Sequence, residues 1–188
     1  MANILYFNLT NVKEAKGGRP QTVMFTTGGV KPNGSIVTLG DTMEKTSREL
    51  DHVHAVTFGA LDSVIGKWVI ASPEIVVEQY RTIDGKAWKY ALEENETYAA
   101  YQLQALDRLE YSEAYFEGAF TQYKVGDFVK IDNKGKFIKG TNANDSAFRI
   151  VTILDVNKPV VLEANTSAGL GASFIPQLGK MVKLEVVR

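Results

Sequence analysis

The sequence predicts a mainly β protein, a β-barrel or sandwich-like fold with one or two short helices. The clearest observation is KVGDFVKI at residues 124–131, followed by the polar turn DNKG at 132–135 and by KFI at 136–138. Runs of β-branched and aromatic residues bounded by Gly, Asn and Asp are typical of strands joined by hairpins. The second observation is the alternation of apolar and charged residues over 180–187, which is the pattern of a half-buried strand.

The first 20 residues are predicted to form an N-terminal arm or loop. Their apolar run at 4–9 fits a short strand, but a Gly-Gly pair and Pro20 interrupt regular structure after it. Residues 21–26 and 35–39 return to β character on either side of Gly, Asn and Pro. We therefore expect a hairpin there.

The middle of the chain also favours strands. Asp41 and Glu44 have the spacing of a capping box, which predicts a short helix over 42–50. Three β-branched and aromatic runs follow, and each is predicted as a strand, at 53–58, 67–71 and 74–80.

Residues 87–109 fit either a helix or a strand. Good helix formers are common in this stretch, yet Tyr101, Leu103 and Ala105 alternate with period two, so we interpret 100–106 as a strand. Ser112 is a candidate cap for one helical turn over 112–116.

The last third contains the firmest strand predictions. Residues 148–154 are apolar at odd and even positions, as expected of a strand covered on both faces. Residues 155–159, DVNKP, predict the turn that ends it. In the final strand, Lys183 and Glu185 are predicted on the solvent face, where charges discourage edge pairing.

These elements suggest three segments along the chain. Residues 1–20 form the arm or loop, 21–122 a β-rich body with a short helix, and 123–188 a C-terminal β module. The last two segments can also form one continuous domain.

The amino-acid composition limits the classes of binding partner that we expect. The 188 residues carry 21 Lys and Arg against 22 Asp and Glu, a net charge of −1. This balance supplies no positive field for phosphates, so we expect no nucleic-acid partner. It also opposes self-association little, so a homo-oligomer is left open. We expect no membrane association either, because the start lacks a signal-peptide pattern and no apolar run reaches roughly 18 residues.

The motifs predict a protein that is not an enzyme, with no catalytic residue, cofactor or metal site. The chain has no Cys, which excludes thiolate chemistry. Its Gly-Lys pairs lack the upstream Gly and following hydroxyl of a phosphate-binding loop. His52 and His54 could supply two metal ligands on one strand face, which leaves a small metal-dependent hydrolase as a rival interpretation.

Aromatic residues are the remaining candidates for contacts. Five tyrosines cluster in one region of the chain, at Tyr98, Tyr101, Tyr111, Tyr115 and Tyr123. Such rings occur in protein cores and also as anchors in protein or sugar contacts. Both interpretations stay open at the level of sequence.

Four short segments resemble small structural proteins of tailed phages, found among head genes near the major capsid protein. They are WVIASPEI at 68–75, YQL at 101–103, VGDFVKI at 125–131 and GKF at 135–137. The strand VGDFVKI followed by GKF is also similar to modules of head decoration proteins. The resemblance extends over residues 67–187.

The resemblance implies a non-enzymatic decoration or auxiliary protein of the virion, made in the host cytoplasm. Its partners would be the major capsid protein or other virion proteins, and it would cement neighbouring capsid subunits. Candidate partner-binding residues are Tyr6, Phe7 and Arg19 in the arm and Tyr111 and Tyr115 in the tyrosine-rich region.

Two further alternatives remain for the function besides the metal-dependent hydrolase. The first is a structural component of the phage tail or neck, which would share the strand-rich composition. The second is a carbohydrate-binding module that uses surface aromatics such as Trp68 and Trp88 as stacking platforms.

Overall fold

A computed structural model describes residues 7–12, 20–43, 52–71, 91–161 and 174–188. These residues form a mainly β protein, which confirms the predicted fold class. The strands are β1 (Phe7–Asn11), β2 (Gln21–Met24), β3 (Lys31–Pro32), β4 (Ile36–Thr42), β5 (Val53–Thr57), β6 (Trp68–Ile70), β7 (Ala91–Leu92), β8 (Tyr98–Gln102), β9 (Arg108–Ser112), β10 (Phe128–Ile131), β11 (Phe137–Lys139), β12 (Phe148–Val161) and β13 (Phe174–Val186). Short 3-10 helices cover Glu113–Tyr115, Phe120–Gln122 and Ala143–Asp145.

Five strands close a small barrel in the order β2-β5-β4-β6-β8. The β2–β5 pair is parallel and the other pairs are antiparallel. Closure removes the exposed strand edges that an open sheet would leave. The barrel has an apolar core of its own, formed by residues such as Val23, Val37 and Ile70.

Six strands form an antiparallel sheet in the order β1-β9-β13-β12-β10-β11. One face of this sheet is buried in a second core, in which Leu109, Phe148 and Leu184 are fully enclosed. The same core includes Ile36 and Val69 from barrel strands β4 and β6. The sheet therefore packs on the barrel through shared apolar contacts.

The strongest sequence predictions are confirmed. The segment from 124 to 139 forms the expected β10–β11 hairpin, in which Asp132 Oδ1 accepts from the Lys134 and Lys136 amides at 2.8 and 2.7 Å. The strand predicted over 100–106 is only partly correct: β8 covers Tyr98–Gln102, and a turn over 104–107 follows before β9 begins. Ser112 does precede a helical turn, but its side chain makes no capping hydrogen bond there.

The predicted turn at 155–159 is wrong, because β12 continues through it to Val161. A partner strand overrides the local turn preference: Asp155 lies opposite Lys180, and Pro159 lies opposite Pro176. The half-buried pattern of the last strand is present, but the role predicted for Lys183 and Glu185 in discouraging edge pairing does not apply. β13 lies inside the sheet between β12 and β9.

The expected N-terminal arm includes a structured element. Phe7–Asn11 forms β1 and pairs with β9 at one edge of the six-stranded sheet. β9 comes from the predicted body and pairs with β13 of the predicted C-terminal module. The helix predicted over 42–50 and the strand predicted over 74–80 lie largely or wholly outside the described residues, and Thr42 itself ends β4.

Candidate functional site

The structure places the predicted partner-binding residues in two groups. Tyr6 and Arg19 lie outside the described residues. The other three are buried, with exposures of 6% for Phe7, 1% for Tyr111 and 3% for Tyr115. Since a partner cannot reach a ring enclosed by its own chain, the prediction that these three anchor a partner is corrected: they are core residues.

Both buried tyrosines connect the sheet to the barrel. The Tyr111 hydroxyl donates to the Gly34 carbonyl at 2.8 Å, and the Tyr115 hydroxyl donates to the Asn33 carbonyl at 2.6 Å. A buried Tyr needs such a partner for its polar end. Burial, and secondly the adjacent Tyr115, raises the pKa of Tyr111 well above its usual range. Tyr111 is therefore a neutral structural hydrogen-bond donor.

The other residues singled out for chemistry do not converge. The His54 Nδ1 atom lies 3.1 Å from the Gly40 carbonyl oxygen. Within the part of the chain that the structure describes, no three His, Asp or Glu side chains are grouped as metal ligands. Trp68 is half-buried against the barrel core, and Trp88 lies outside the described residues.

The described strands include a two-stranded extension that we call the ribbon and define as the paired ends of β12 and β13 from Asp155↔Lys180 to Val161↔Phe174. β13 pairs with β9 only from Met181 onward, and β12 pairs with β10 only at Phe148 and Arg149. Among the described strands, the ribbon therefore has no third neighbour. Its seven residue pairs extend about 20 Å beyond the sheet at a rise of about 3.3 Å per residue.

The ribbon has a proline on each strand at the same level. Pro159 and Pro176 face each other in the register. In an antiparallel pair, opposed residues alternate between pairs that exchange hydrogen bonds and pairs whose N–H and C=O groups point outward. Because proline has no N–H, this pair fits only the outward position. Each outer edge of the ribbon thus lacks a donor at that level, which hinders pairing with a further strand.

An ion triad covers the sheet face opposite the core. Glu185 lies directly across from Arg108 on β9 and from Arg149 on β12. Each arginine donates to the nearly buried carboxylate at 2.8 Å. The hydrogen bond from Arg108 and the charges of both arginines hold the pKa of Glu185 below its usual value. The triad joins three strands and uses its acceptor oxygens internally.

Three exposed turns precede strands and share one geometry, with a hydrogen bond closing residues 64–67, 104–107 and 124–127. Their third residues are Gly66, Leu106 and Gly126, which have φ values of 78°, 71° and 93°. A positive φ at the third position alone is typical of a type II turn, which favours Gly. Leu106 therefore occupies a glycine position.

The apolar residues at the tips of these turns were not predicted from the sequence as contact residues. The tips present apolar side chains to solvent: Ile65 is 47% exposed, Leu106 69% and Val125 61%. The detectable signal was the recurrence of an apolar residue, Gly and a charged residue at 65–67 and 125–127, directly before a strand. The sequence QALD at 104–107 forms the same turn but has Leu106 in place of Gly at the third position, so it lacks this signal.

No family model, curated protein or solved structure matches this chain. Among the described residues, no helix is long and apolar enough to cross a membrane. Two features of the described part stand out: the ribbon, which extends beyond the sheet, and the exposed apolar turn tips.

Proposed function

We propose that this chain is a non-enzymatic virion protein that binds the major capsid protein on the outside of a tailed-phage head. It stabilises the lattice by contacting neighbouring subunits. The observation that carries the proposal is the ribbon, an element that projects from a rigid sheet. The phage-like segments of the sequence support the same partner.

The ribbon is suited to docking because of its marginal stability by itself. A two-stranded pair is marginal in water without a third strand or a packing surface. A partner that covers one face supplies that surface. The sheet behind it is held by a buried core, so the end of the ribbon that joins the sheet is fixed in position.

Charge is compatible with a protein surface as the partner. An ion pair lies where the ribbon joins the sheet: Lys180 Nζ is 3.9 Å from Asp155 Oδ1. With a chain charge of −1, long-range attraction contributes little. The affinity of the ribbon contact must then come from shape and apolar contact, and we expect this contact to depend only weakly on salt.

The location of the protein is the first test. An antibody against this chain is used to blot gradient-separated particles from the source culture, after heads and tails have been split. A signal in intact heads supports the proposal. A signal in tails favours the alternative of a tail or neck component, and a signal in the soluble fraction alone contradicts a virion role.

The ribbon is tested by shortening it. Residues 157–178 are replaced by Asn-Gly, which closes Val156 and Gly179 with a two-residue hairpin turn. We expect binding to heads that lack this chain to weaken by about tenfold or more, while the unfolding midpoint stays near that of the full chain. Equal binding by both chains would show that the ribbon is not the contact.

A further inference from the structure

Leu106 has an unfavourable backbone conformation and an exposed side chain at once. Its φ of 71° lies in the left-handed region, where a Cβ atom is crowded by the backbone. The equivalent residues of the two similar turns are Gly66 and Gly126. Leu106 gains little from its own fold in return, because its side chain is 69% exposed. Strain of this kind is characteristic of binding sites.

Hydrogen bonds bring a second apolar tip close to Leu106. The Leu106 amide donates to the Val186 carbonyl at 3.0 Å, and the Val64 amide donates to the Arg188 carbonyl at 2.6 Å. The Gly66 amide donates to the Leu103 carbonyl at 2.9 Å and joins the two turns directly. Ile65 and Leu106 therefore flank the end of β13. We call these two residues the apolar tips.

The apolar tips lie at the end of the sheet opposite the ribbon. β13 leaves the ribbon at Lys180 and reaches the tips at Val186, while β9 begins beside them at Arg108. A protein that cements a lattice must contact two subunits at separate places. One face of the ribbon covers only a few hundred Å², below the roughly 800 Å² per partner of a stable interface. A second contact is needed.

The charged residues around the apolar tips indicate which kind of partner surface the tips would complement. Lys67 adjoins the first turn, and Arg108 follows the second. Arg188 lies between the turns, where its guanidinium donates to the Asn144 carbonyl. Asp107 is buried, and its carboxylate accepts from the Gln104 amide at 2.8 Å. Arg108 is held by Glu185, and the exposed Asp62 pairs with Lys130 at 3.4 Å. The accessible charges that remain beside the tips are Lys67 and Arg188, and both are positive.

We propose that Leu106 and Ile65 insert into an apolar pocket with an acidic rim on a second capsid subunit. This inference rests on the proposed function and extends it: the ribbon contacts one subunit, and the apolar tips contact its neighbour. The strained turn is kept because it presents a leucine side chain at its tip.

The test compares Leu106→Gly with the full chain for binding to heads that lack this protein. The variant gives the turn the same third residue as its two counterparts. We expect it to unfold at the same temperature as the wild type or higher, because the left-handed conformation suits Gly. Binding should nevertheless weaken by about tenfold. Loss of binding without loss of stability separates a docking role from a structural one.

Two further variants complete the test. Val125→Ala shortens an exposed apolar side chain in the 124–127 turn and should change binding by no more than about twofold. Lys67→Glu introduces repulsion with an acidic rim, so its binding should weaken most at low salt.

The outcomes separate the two proposals. If the wild type binds heads and Leu106→Gly binds equally well, the apolar tips are not a contact, while the proposed function stands. If the wild type itself does not bind heads, both proposals are overturned. Equal weakening by Val125→Ala and Leu106→Gly would also overturn this inference, since the effect would then not be specific to the tips.

Discussion

Glu185 shows how single residues in this chain acquire roles from strands that are distant in sequence. Alternation placed it on the polar face of the last strand, and it is on that face. Its carboxylate is nevertheless nearly buried, because Arg108 and Arg149 cover it from both sides. A buried carboxylate with two charge-assisted partners is stabilised in its ionised form. It contributes to stability only while it remains ionised.

Glu185→Gln should therefore lower stability at neutral pH by about 1–2 kcal/mol, since the half-exposed arginines recover part of their hydration. The pKa of Glu185 in the folded state is below its usual value of 4.5. Its contribution is then complete above that pH and is lost as the pH falls through the folded-state pKa. Urea unfolding between pH 7 and pH 3 measures this, and the variant's stability should fall less with acid than that of the wild type.

Glu110→Gln on β9 is the matched control for that series. Glu110 lies opposite Lys183 in the same sheet. The control should lower stability at pH 7 by no more than about 0.5 kcal/mol, because Glu110 is not part of the triad. An identical acid response of the wild type and Glu185→Gln would show that the triad does not contribute to stability.

At the scale of elements, the ribbon combines a long pairing with protected edges. Exposed strand edges invite pairing with other chains, and proline is one of the residues that prevent it. Opposed prolines protect both edges at one level without removing a hydrogen bond between the two strands. The ribbon is therefore expected to bind through its faces and not by adding a strand to a partner's sheet.

Replacing both prolines with valine should expose both edges. Valine restores the two outward N–H groups and has a high strand propensity. We expect the Pro159→Val, Pro176→Val double variant to form higher oligomers than the wild type at equal concentration, as measured by sedimentation velocity. The single variants are the controls and should show a smaller effect, because each leaves one edge protected. An unchanged size distribution for the double variant would contradict an edge-protecting role.

At the scale of the whole molecule, the barrel has a core of its own, but its residues Ile36 and Val69 also pack in the core of the sheet, and barrel and sheet meet at a close approach. Gly34, in the turn before β4, lies against Phe7 of β1, and its carbonyl accepts from Tyr111 of β9. A Cβ atom at Gly34 would come within 2.4 Å of the Phe7 ring. Phe7 is itself enclosed, so it has little room to move. This contact makes the two parts interdependent.

Gly34→Ala should accordingly destabilise the whole chain by about 3 kcal/mol or more, through overpacking added to an unfavourable positive φ. Gly29→Ala is the matched control: its φ is also positive, at 68°, but the added Cβ would meet no atom within 4 Å. Gly29→Ala should lower the free energy of unfolding by about 1 kcal/mol. Calorimetry should show one transition for both variants. A similar loss of stability in the two variants would mean that the Phe7 side chain can move aside at little energetic cost. Two separate thermal transitions would mean that barrel and sheet unfold independently.

The sequence by itself determined the features that depend on neighbouring residues. Alternation identified Val182, Leu184 and Val186 as one buried face, and turn chemistry identified the hairpin around Asp132. Both signals are local, because strand faces have a period of two and Asx turns close within a few residues. The fold class followed from the repetition of such signals.

Tertiary structure decided everything that depends on distant partners. Tyr111 and Tyr115 could have been contact residues or core residues, and they became core because a barrel loop 77 and 82 residues away accepts their hydroxyl groups. The DVNKP segment stayed a strand because β13 pairs with it, although its composition favours a turn. The type II turn at Leu106 could not be recognised from the sequence, since only backbone geometry reveals a positive φ at a residue other than Gly. Such contacts are set by which strands become neighbours, and this pairing is not encoded in any short stretch of sequence.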